Sequence, residues 1–479
     1  MCGVVAIHNH SEAANLAYLG LHALQHRGQE SAGVVSNHEG TLRAVRKMGL
    51  VADVFTVERL QRLRGNTAIG HVRYTTSGGS LPKNIQPLTA EFRDGPVAIA
   101  HNGNLINALA LRDELEDQGS IFSSNSDTEV ILQLMARSRE RAFADRLADA
   151  LRRVQGAYSI VLTTGDTLIA ARDQDGIRPL LLGRVDGDDG AWVVASETCA
   201  FDLIGATVVR DIEPGELLII EGAAEPRSVG IGVGSDSQHA CVFEHVYFAR
   251  PDSVLDGTSV YEARIAMGRQ LASEWPVEAD IVIPVPDSGV VAAMGYARAS
   301  GLAFEMGLIR NHYVGRTFIE PKESIRHFGV KLKLNAVPHL LKGKRVVVVD
   351  DSIVRGTTSR KIVRMIRDAG ALEVHVRISS PPVDYPCYYG IDTPTRGELI
   401  ASNHNIEEIR AHLRADSLQY LSAEGLLAAV KRGAIVGKPT PGSAESGTNC
   451  GYCTACFTGS YPVPLSEAPV RRQLRLIEL

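Results

Sequence analysis

Apolar and polar positions alternate in short runs over the first 230 or so residues, interrupted by glycine and polar turns. The segments "GVVAIHN", "TAIGHVRYTT", "PVAIAHNGN", "YSIVLTTGDTLIAARD" and "AWVVASET" have the pattern of strands. A helical period shows in "AANLAYLGLHALQHRG" and in the long stretch "DTEVILQLMARSRERAFADRLADALRRV". Dispersed strands mixed with a few helices predict a layered α+β domain.

The grammar changes after residues 228–240, "SVGIGVGSDSQHA", whose Gly and Ser content predicts an inter-domain connection. Beyond it, "ADIVIPVPDSG" and "GKRVVVVDDSIVRGTTS" are continuous apolar runs that end in acidic, glycine-containing turns. Each leads into a helix-compatible segment, such as "SRKIVRMIRDAGA". A run buried on both faces, then a loop, then a helix is the unit of a parallel α/β sheet. Residues 437–449, "GKPTPGSAESGTN", form a second flexible stretch before a group of cysteines. The expected division is therefore 2–230, 241–436 and a C-terminal tail over 437–479, without internal repeats.

Composition excludes more than it identifies. The 479 residues are 44% hydrophobic and 22% charged, with a formal net charge of -5. A dedicated nucleic-acid binder would carry a basic footprint, so no nucleic-acid partner is expected. No apolar run reaches the roughly 18 to 20 residues that span a bilayer, which predicts no membrane partner. The N-terminus has no charged segment followed by an apolar one, so a cytoplasmic protein is expected. Seven cysteines are too few for a disulfide scaffold in a chain of this length. They are expected as buried apolar residues, nucleophiles or metal ligands.

Cys2 follows the initiator Met and precedes Gly3. Removal of Met1 would put a thiol and a free α-amine on one residue. The amine, with an ordinary pKa of about 7.7 to 8, can act as the base for its own nucleophile. A cysteine at this position means little alone. Together with "LQHRGQESAG", "GHVRYTTSG", "HNGNL" and "SNSDTE", however, it resembles the N-terminal-nucleophile glutamine amidotransferases as far as about Val130. The resemblance implies a four-layer α/β/β/α glutaminase domain in which Cys2 attacks the side-chain amide of glutamine. It also implies that Asn102 and Gly103 supply oxyanion donors, a side-chain amide and a backbone N–H. Arg73 would clamp the substrate carboxylate and Asp127 its ammonium. His26 and His71 are expected to be structural, because the α-amine already supplies the base.

"RVVVVDDSIVRGTTS" ends a buried strand in two acids and a loop of small residues. Asp350 and Asp351 can accept hydrogen bonds from vicinal ribose hydroxyls or bind Mg²⁺. Gly356, Thr357, Thr358 and Ser359 offer N–H groups and hydroxyls at a helix start, a setting suited to a phosphate. The string lacks the loop of nucleoside triphosphatases. It resembles the phosphoribosyl-pyrophosphate signature of type I phosphoribosyltransferases, which implies a parallel-sheet domain and adds Arg355 to the binding loop. By the same resemblance, Ser288 in "VPDSG" is a third Mg²⁺-associated position. The basic stretch 310–321, with Lys331 and Lys333, resembles the lid over pyrophosphate.

Cys450, Cys453 and Cys456 crowd "NCGYCTACFTG", while Cys241 and Cys387 are remote in sequence. Four thiolates suit Zn²⁺ or an iron–sulfur cluster, and spacing does not separate these from inert buried thiols. The two signatures together resemble the glutamine phosphoribosylpyrophosphate amidotransferases over nearly the whole chain, and one branch of that family carries a [4Fe–4S] cluster. The resemblance assigns Cys241, Cys387, Cys453 and Cys456 as its ligands, with Cys450 in reserve and Cys199 an ordinary buried thiol. It further implies a homotetramer, feedback inhibition by purine nucleotides, and the first committed step of purine biosynthesis. Glucosamine-6-phosphate synthase and asparagine synthetase share the N-terminal motifs, but this chain has neither sugar-isomerase domains nor an ATP pyrophosphatase loop. A sensor of phosphoribosyl pyrophosphate that binds DNA would need a basic domain and would have no use for Cys2, Asn102 and Arg73.

Overall fold

The alternating segments of the first half pair into two antiparallel sheets. The computed structural model describes residues 2–74, 79–187, 190–232, 238–312, 333–393, 395–433 and 451–465. One sheet runs Ala206–Asp211, Leu181–Val185, Trp192–Ala195, Gly3–His8, Thr67–Arg73, Ser31–His38, Thr41–Met48. The other runs Arg227–Gly230, Glu216–Glu221, Thr167–Arg172, Gly156–Thr164, Gly95–Leu105, Leu88–Phe92.

Strand alternation sends one set of side chains between the sheets. Val4, Ala6 and Ile69 of the first meet Ala98, Ala100, Val161 and Ala170 of the second in one buried cluster. The opposite faces carry helices. Ala13–Ala23 and Thr198–Ile204 cover Val5, Ile7 and Val193, whereas Ala108–Asp117, Asp127–Arg137 and Phe143–Leu151 cover Val97, Ile99 and Ile160. The result is the expected helix–sheet–sheet–helix stack. Gly3–His8 lies near the middle of its sheet, so Cys2 emerges at the end of an inner strand.

Two local expectations change. The long periodic stretch from Asp127 is two helices, because Ser138 turns to an extended conformation and "SRER" has no apolar residue to hold a continuous helix on the sheet. The first residues of the predicted connection join strand Arg227–Gly230. An edge strand needs only one partner, so a fully exposed polar segment can serve.

The second half holds a parallel sheet in the order Ala303–Phe304, Ile281–Pro284, Arg345–Asp350, Glu373–Ile378, Ser417–Tyr420. Both faces are buried, as the continuous apolar runs require. Val347 and Val349 face helices Val260–Glu274, Val290–Ser300 and Ala423–Arg432, while Val346 and Val348 face Thr357–Asp368 and Ile406–Leu413. The chain reverses its direction of winding between Ile281–Pro284 and Arg345–Asp350. Open α/β sheets bind ligands at such a switch point, beyond the carboxyl ends of the strands. Among the described residues no helix is long and apolar enough to cross a membrane.

Candidate active sites

Three strands bring the amino-terminal motifs together. Gly3–His8 pairs with Thr67–Arg73, so Gly3 lies opposite Val72, and the Cys2 thiol donates to the Tyr74 carbonyl at 3.5 Å. The Cys2 N–H donates to Oδ1 of Asn102 at 3.2 Å. That bond fixes the amide, and Nδ2 of Asn102 is left buried without a hydrogen-bond partner. A fully buried donor held open in this way is costly unless a ligand satisfies it. Gly103 follows with φ +152°, and a Cβ there would stand 2.0 Å from the Ala157 carbonyl oxygen, so only glycine fits.

The two residues expected to clamp the substrate, Arg73 and Asp127, are both buried. Asp127 opens its helix and accepts from the Leu105 N–H at 3.1 Å, which ties it to the strand that carries Asn102 and Gly103. Arg73 is 5% exposed, and its guanidinium donates to the carbonyls of Asn84 and Gly79, each at 3.0 Å. Gly28 of "QHRGQES" packs directly on the Arg73 backbone, where a Cβ would lie 2.6 Å from its carbonyl carbon.

Neither histidine of this region is poised as a base toward Cys2. Burial, aided by the Arg73 charge, lowers His71 to about 3, so its ring is neutral, with Nε2 on the His101 carbonyl at 3.2 Å. His26 is engaged with Glu197 at 2.7 Å.

A buried network beneath the nucleophile escaped the sequence reading. Arg27 donates from Nε to the Cys2 carbonyl at 3.0 Å, and its other nitrogens meet Glu197 and both oxygens of Glu244, at 3.0 and 2.7 Å. Burial alone would raise Glu197, but the charges on His26 and Arg27 outweigh it and hold the carboxyl well below its usual range. "QHRGQES" contains Arg27, but nothing in the string shows that this arginine is buried. Its acidic partners lie 170 and 217 residues away.

The second site lies at the switch point. Pro284 and Val349 are paired neighbours, so the turns "VPDSG" and "DDSIVRGTTS" stand side by side with Ser288 in the first and Asp350 in the second. Burial first, and then the negative charge of Asp351, raise the Asp350 carboxyl well above the normal range. A carboxyl raised by burial and by a neighbouring acid favours a cation beside it. Asp351 accepts from Ser352 at 2.6 Å. Helix Thr357–Asp368 begins after Gly356 with no side chain capping its N–H groups, and Thr357 and Thr358 are exposed there. That leaves donors and hydroxyls available to a phosphate. Arg355 is exposed and pairs with Glu398 at 3.2 Å. Of the predicted lid, Arg310 is ion-paired to Asp287 beside Ser288, and Lys333 is exposed, whereas 313–321 and Lys331 lie outside the described residues.

Four cysteines from three distant segments meet between the halves. Cys241 and Cys453 sit opposite each other in a short parallel pair, and the Asp384 and Tyr385 N–H groups both donate to the Cys456 carbonyl at 3.1 Å, just before Cys387. Burial raises the Cys241, Cys453 and Cys456 thiols, and the nearby thiols add to the effect at each. Arg178, itself fully buried, interacts electrostatically with Cys241 and Cys387, and its Nη1 reaches Glu244 at 3.4 Å. Among the described residues no group of three or more His, Cys, Asp or Glu is placed to hold a single metal ion. Cys450 is outside the described residues, and Cys199 is buried against the Glu197 carboxylate.

Comparison with known proteins matches both halves. Residues 71–202 fit the glutamine amidotransferase domain family, and residues 253–380 the phosphoribosyl transferase domain family. The chain is 52% identical over 472 residues to amidophosphoribosyltransferase 2, chloroplastic, of Arabidopsis thaliana, covering 98% of this chain and 81% of that one. It is 50% identical over 473 residues to the amidophosphoribosyltransferase of Bacillus subtilis, covering 98% and 95%. In structure it resembles the glutamine phosphoribosylpyrophosphate amidotransferase of B. subtilis complexed with ADP and GMP, at a TM-score of 0.90 and 49% identity, over 98% of this chain and 99% of that one. With half its residues shared with these relatives over nearly its own full length, the chain belongs to the amidophosphoribosyltransferase family.

Proposed function

We infer that this chain catalyses the amidophosphoribosyltransferase reaction, the first committed step of purine biosynthesis. It hydrolyses glutamine to glutamate and ammonia, then adds the ammonia to phosphoribosyl pyrophosphate, giving 5-phosphoribosylamine and pyrophosphate. The observation that carries this reading is the pairing, in one chain, of the buried Cys2, beside an Asn102 side chain whose Nδ2 alone has no partner, with an acidic switch point whose helix start is uncapped.

In the first half, Cys2 attacks the glutamine amide carbon. Asn102 Nδ2 and the Gly103 N–H donate to the oxygen as it becomes negative, which is where such donors act most strongly. Arg73 and Asp127 hold the amino-acid end. Once Met1 is removed, the α-amine of Cys2 takes the thiol proton and returns it to the departing ammonia. In the second half, Asp350 and Asp351 bind the ribose hydroxyls, and Arg355, Gly356, Thr357, Thr358 and Ser359 hold the 5′-phosphate. Asp350, Asp351 and Ser288 present hard oxygen donors suited to Mg²⁺, which would neutralise the pyrophosphate leaving group.

Cys241, Cys387, Cys453 and Cys456 would hold a [4Fe–4S] cluster, chiefly as a structural tie. Three buried thiols and the half-buried Cys387, with the Arg178 guanidinium interacting electrostatically with Cys241 and Cys387, fit a group that is anionic once four thiolates bind it. A cluster also spreads its thiolates more widely than a single ion does. The nucleotides bound to the B. subtilis relative support purine-nucleotide inhibition here, and the assembly the family resemblance implies is a homotetramer. The described cysteines are all free, as a cytoplasmic, reducing setting maintains them.

The test is glutamine-dependent release of pyrophosphate from phosphoribosyl pyrophosphate by the purified protein with Mg²⁺. Glutamine turnover without any pyrophosphate release would overturn the reading.

A further inference from the structure

The oxyanion strand is contacted by a loop from the other half of the molecule. The Asn104 side-chain Nδ2, one residue beyond Gly103, donates to the Tyr388 carbonyl at 2.9 Å. Two residues later Gly390, at φ +107°, lies against the Gly103 backbone. A Cβ on Gly390 would stand 2.9 Å from the Gly103 carbonyl carbon, 3.0 Å from its Cα and 3.1 Å from its oxygen. Residues 388–390 follow the parallel-sheet strand Glu373–Ile378 and lie nearly 290 residues from the strand they touch.

This loop is held rigidly on its far side. The Tyr389 hydroxyl donates to the Val463 carbonyl at 2.7 Å and accepts from the Val463 N–H at 3.1 Å. The Tyr461 hydroxyl donates to the Pro386 carbonyl at 2.6 Å, and the Tyr461 ring packs edge-on against Tyr388 at 5.3 Å. The Cys387 N–H donates to Thr393 Oγ1 at 2.6 Å. The loop therefore bridges the C-terminal cysteine segment to the strand that carries Asn102 and Gly103.

We propose that residues 388–390 are a positioning element for the oxyanion donors, so that glutamine hydrolysis in the first half depends on how the second half places this loop. The inference rests on the glutaminase reading of Cys2. Its physical basis is that donors stabilise the tetrahedral oxygen only within a narrow geometry. A shift of about 1 Å costs on the order of 10²-fold in rate. Gly103 has no side chain to pack it in place: its backbone pairs with Tyr158 in the sheet and is abutted by Gly390 of the loop, so both neighbours set its position. Gly390 and Asn104 touch no substrate; they act through Gly103 and Asn102.

The experiment compares wild type, Gly390→Ala, Asn104→Ala and Cys2→Ala. Four quantities are read: kcat and KM for glutamine, synthesis with ammonium in place of glutamine, and the rate at which iodoacetamide alkylates Cys2, followed by peptide mass. Alkylation needs the thiol but no oxyanion donor. Gly390→Ala should lower kcat for glutamine about 10- to 100-fold, and Asn104→Ala, which removes one hydrogen bond, about 3- to 10-fold. KM, ammonium-dependent synthesis and Cys2 alkylation should stay near wild type in both. Wild-type glutamine turnover in Asn104→Ala and in any folded Gly390→Ala would overturn the proposal. So would a parallel fall of the glutamine and ammonium activities, or a fall in Cys2 alkylation matching that in kcat. Should Gly390→Ala not fold, Asn104→Ala alone decides. Glutamine turnover surviving in Cys2→Ala would instead refute the glutaminase reading beneath it.

Discussion

The two sites of this chain are built in opposite ways. Around Cys2 nearly everything is buried: Cys2 itself is 5% exposed, Asn102 is 0%, and Arg27 underneath is 1%. At the switch point the phosphate loop is open, with Arg355, Thr357 and Thr358 exposed at the start of their helix. Attack on an amide needs a donor geometry fixed in advance and shielded from water. A large, highly charged substrate needs an accessible rim where anions can exchange water for N–H groups and hydroxyls. The lesson is that each half shows in its burial the kind of step it performs.

The contrast breaks most severely at Cys2. Cys2→Ala should abolish glutamine use and leave synthesis from high ammonium intact, measured by steady-state assays with each nitrogen donor. Intact mass of the active protein should show a chain that starts at Cys2; full activity with Met1 retained would remove the α-amine from the mechanism. Asn102→Ala, by deleting the open donor, should lower glutamine turnover about 10²- to 10³-fold. Its ammonium-dependent rate should not change, and a similar loss with both donors would contradict separable sites.

The open site should respond more mildly, and with the opposite selectivity. Asp350→Asn or Asp351→Asn should weaken phosphoribosyl pyrophosphate binding about 10- to 150-fold, since a charged hydrogen bond contributes about 1.5 to 3 kcal/mol. Basal glutaminase should survive. Unchanged affinity in either variant would move the ribose contact elsewhere.

The thiols between the halves sharpen the comparison from the side of stability. Anaerobically purified protein should be brown and carry about four irons per chain. Serine at Cys241, Cys387, Cys453 or Cys456 should reduce folded yield and iron together, whereas Cys450→Ser and Cys199→Ser should be mild. Metal analysis with visible absorption decides it: stoichiometric zinc without iron would refute the cluster, and severe loss at Cys450 with tolerance at Cys456 would change the ligand set.

Much of this was legible along the chain, because the relevant physics is local. Alternation with period two marks a strand with two different faces, and the run "RVVVVD" marks one buried on both, so the layered first half and the parallel second half follow from pattern alone. The sites were legible for a different reason. A cysteine at position 2 means little alone, and it was the company of "HNGN" and the other motifs, together with "DDSIVRGTTS", that carried the resemblance from which the candidate residues were drawn. The sequence pattern alone did not show where the long periodic stretch after Asp127 breaks into two helices, since a short polar interval leaves the average period almost intact.

What only the tertiary structure decided are contacts between residues far apart in sequence, where pattern carries no information. Arg27 reads as one more surface charge until Glu197 and Glu244 are brought to it in the interior. Asn104 and Gly390 read as turn residues until the loop 388–390 is laid against the oxyanion strand. Burial and partnership are properties of the assembled layers. A charge or a glycine acquires its role only when the fold removes water from around it and sets another backbone in its place.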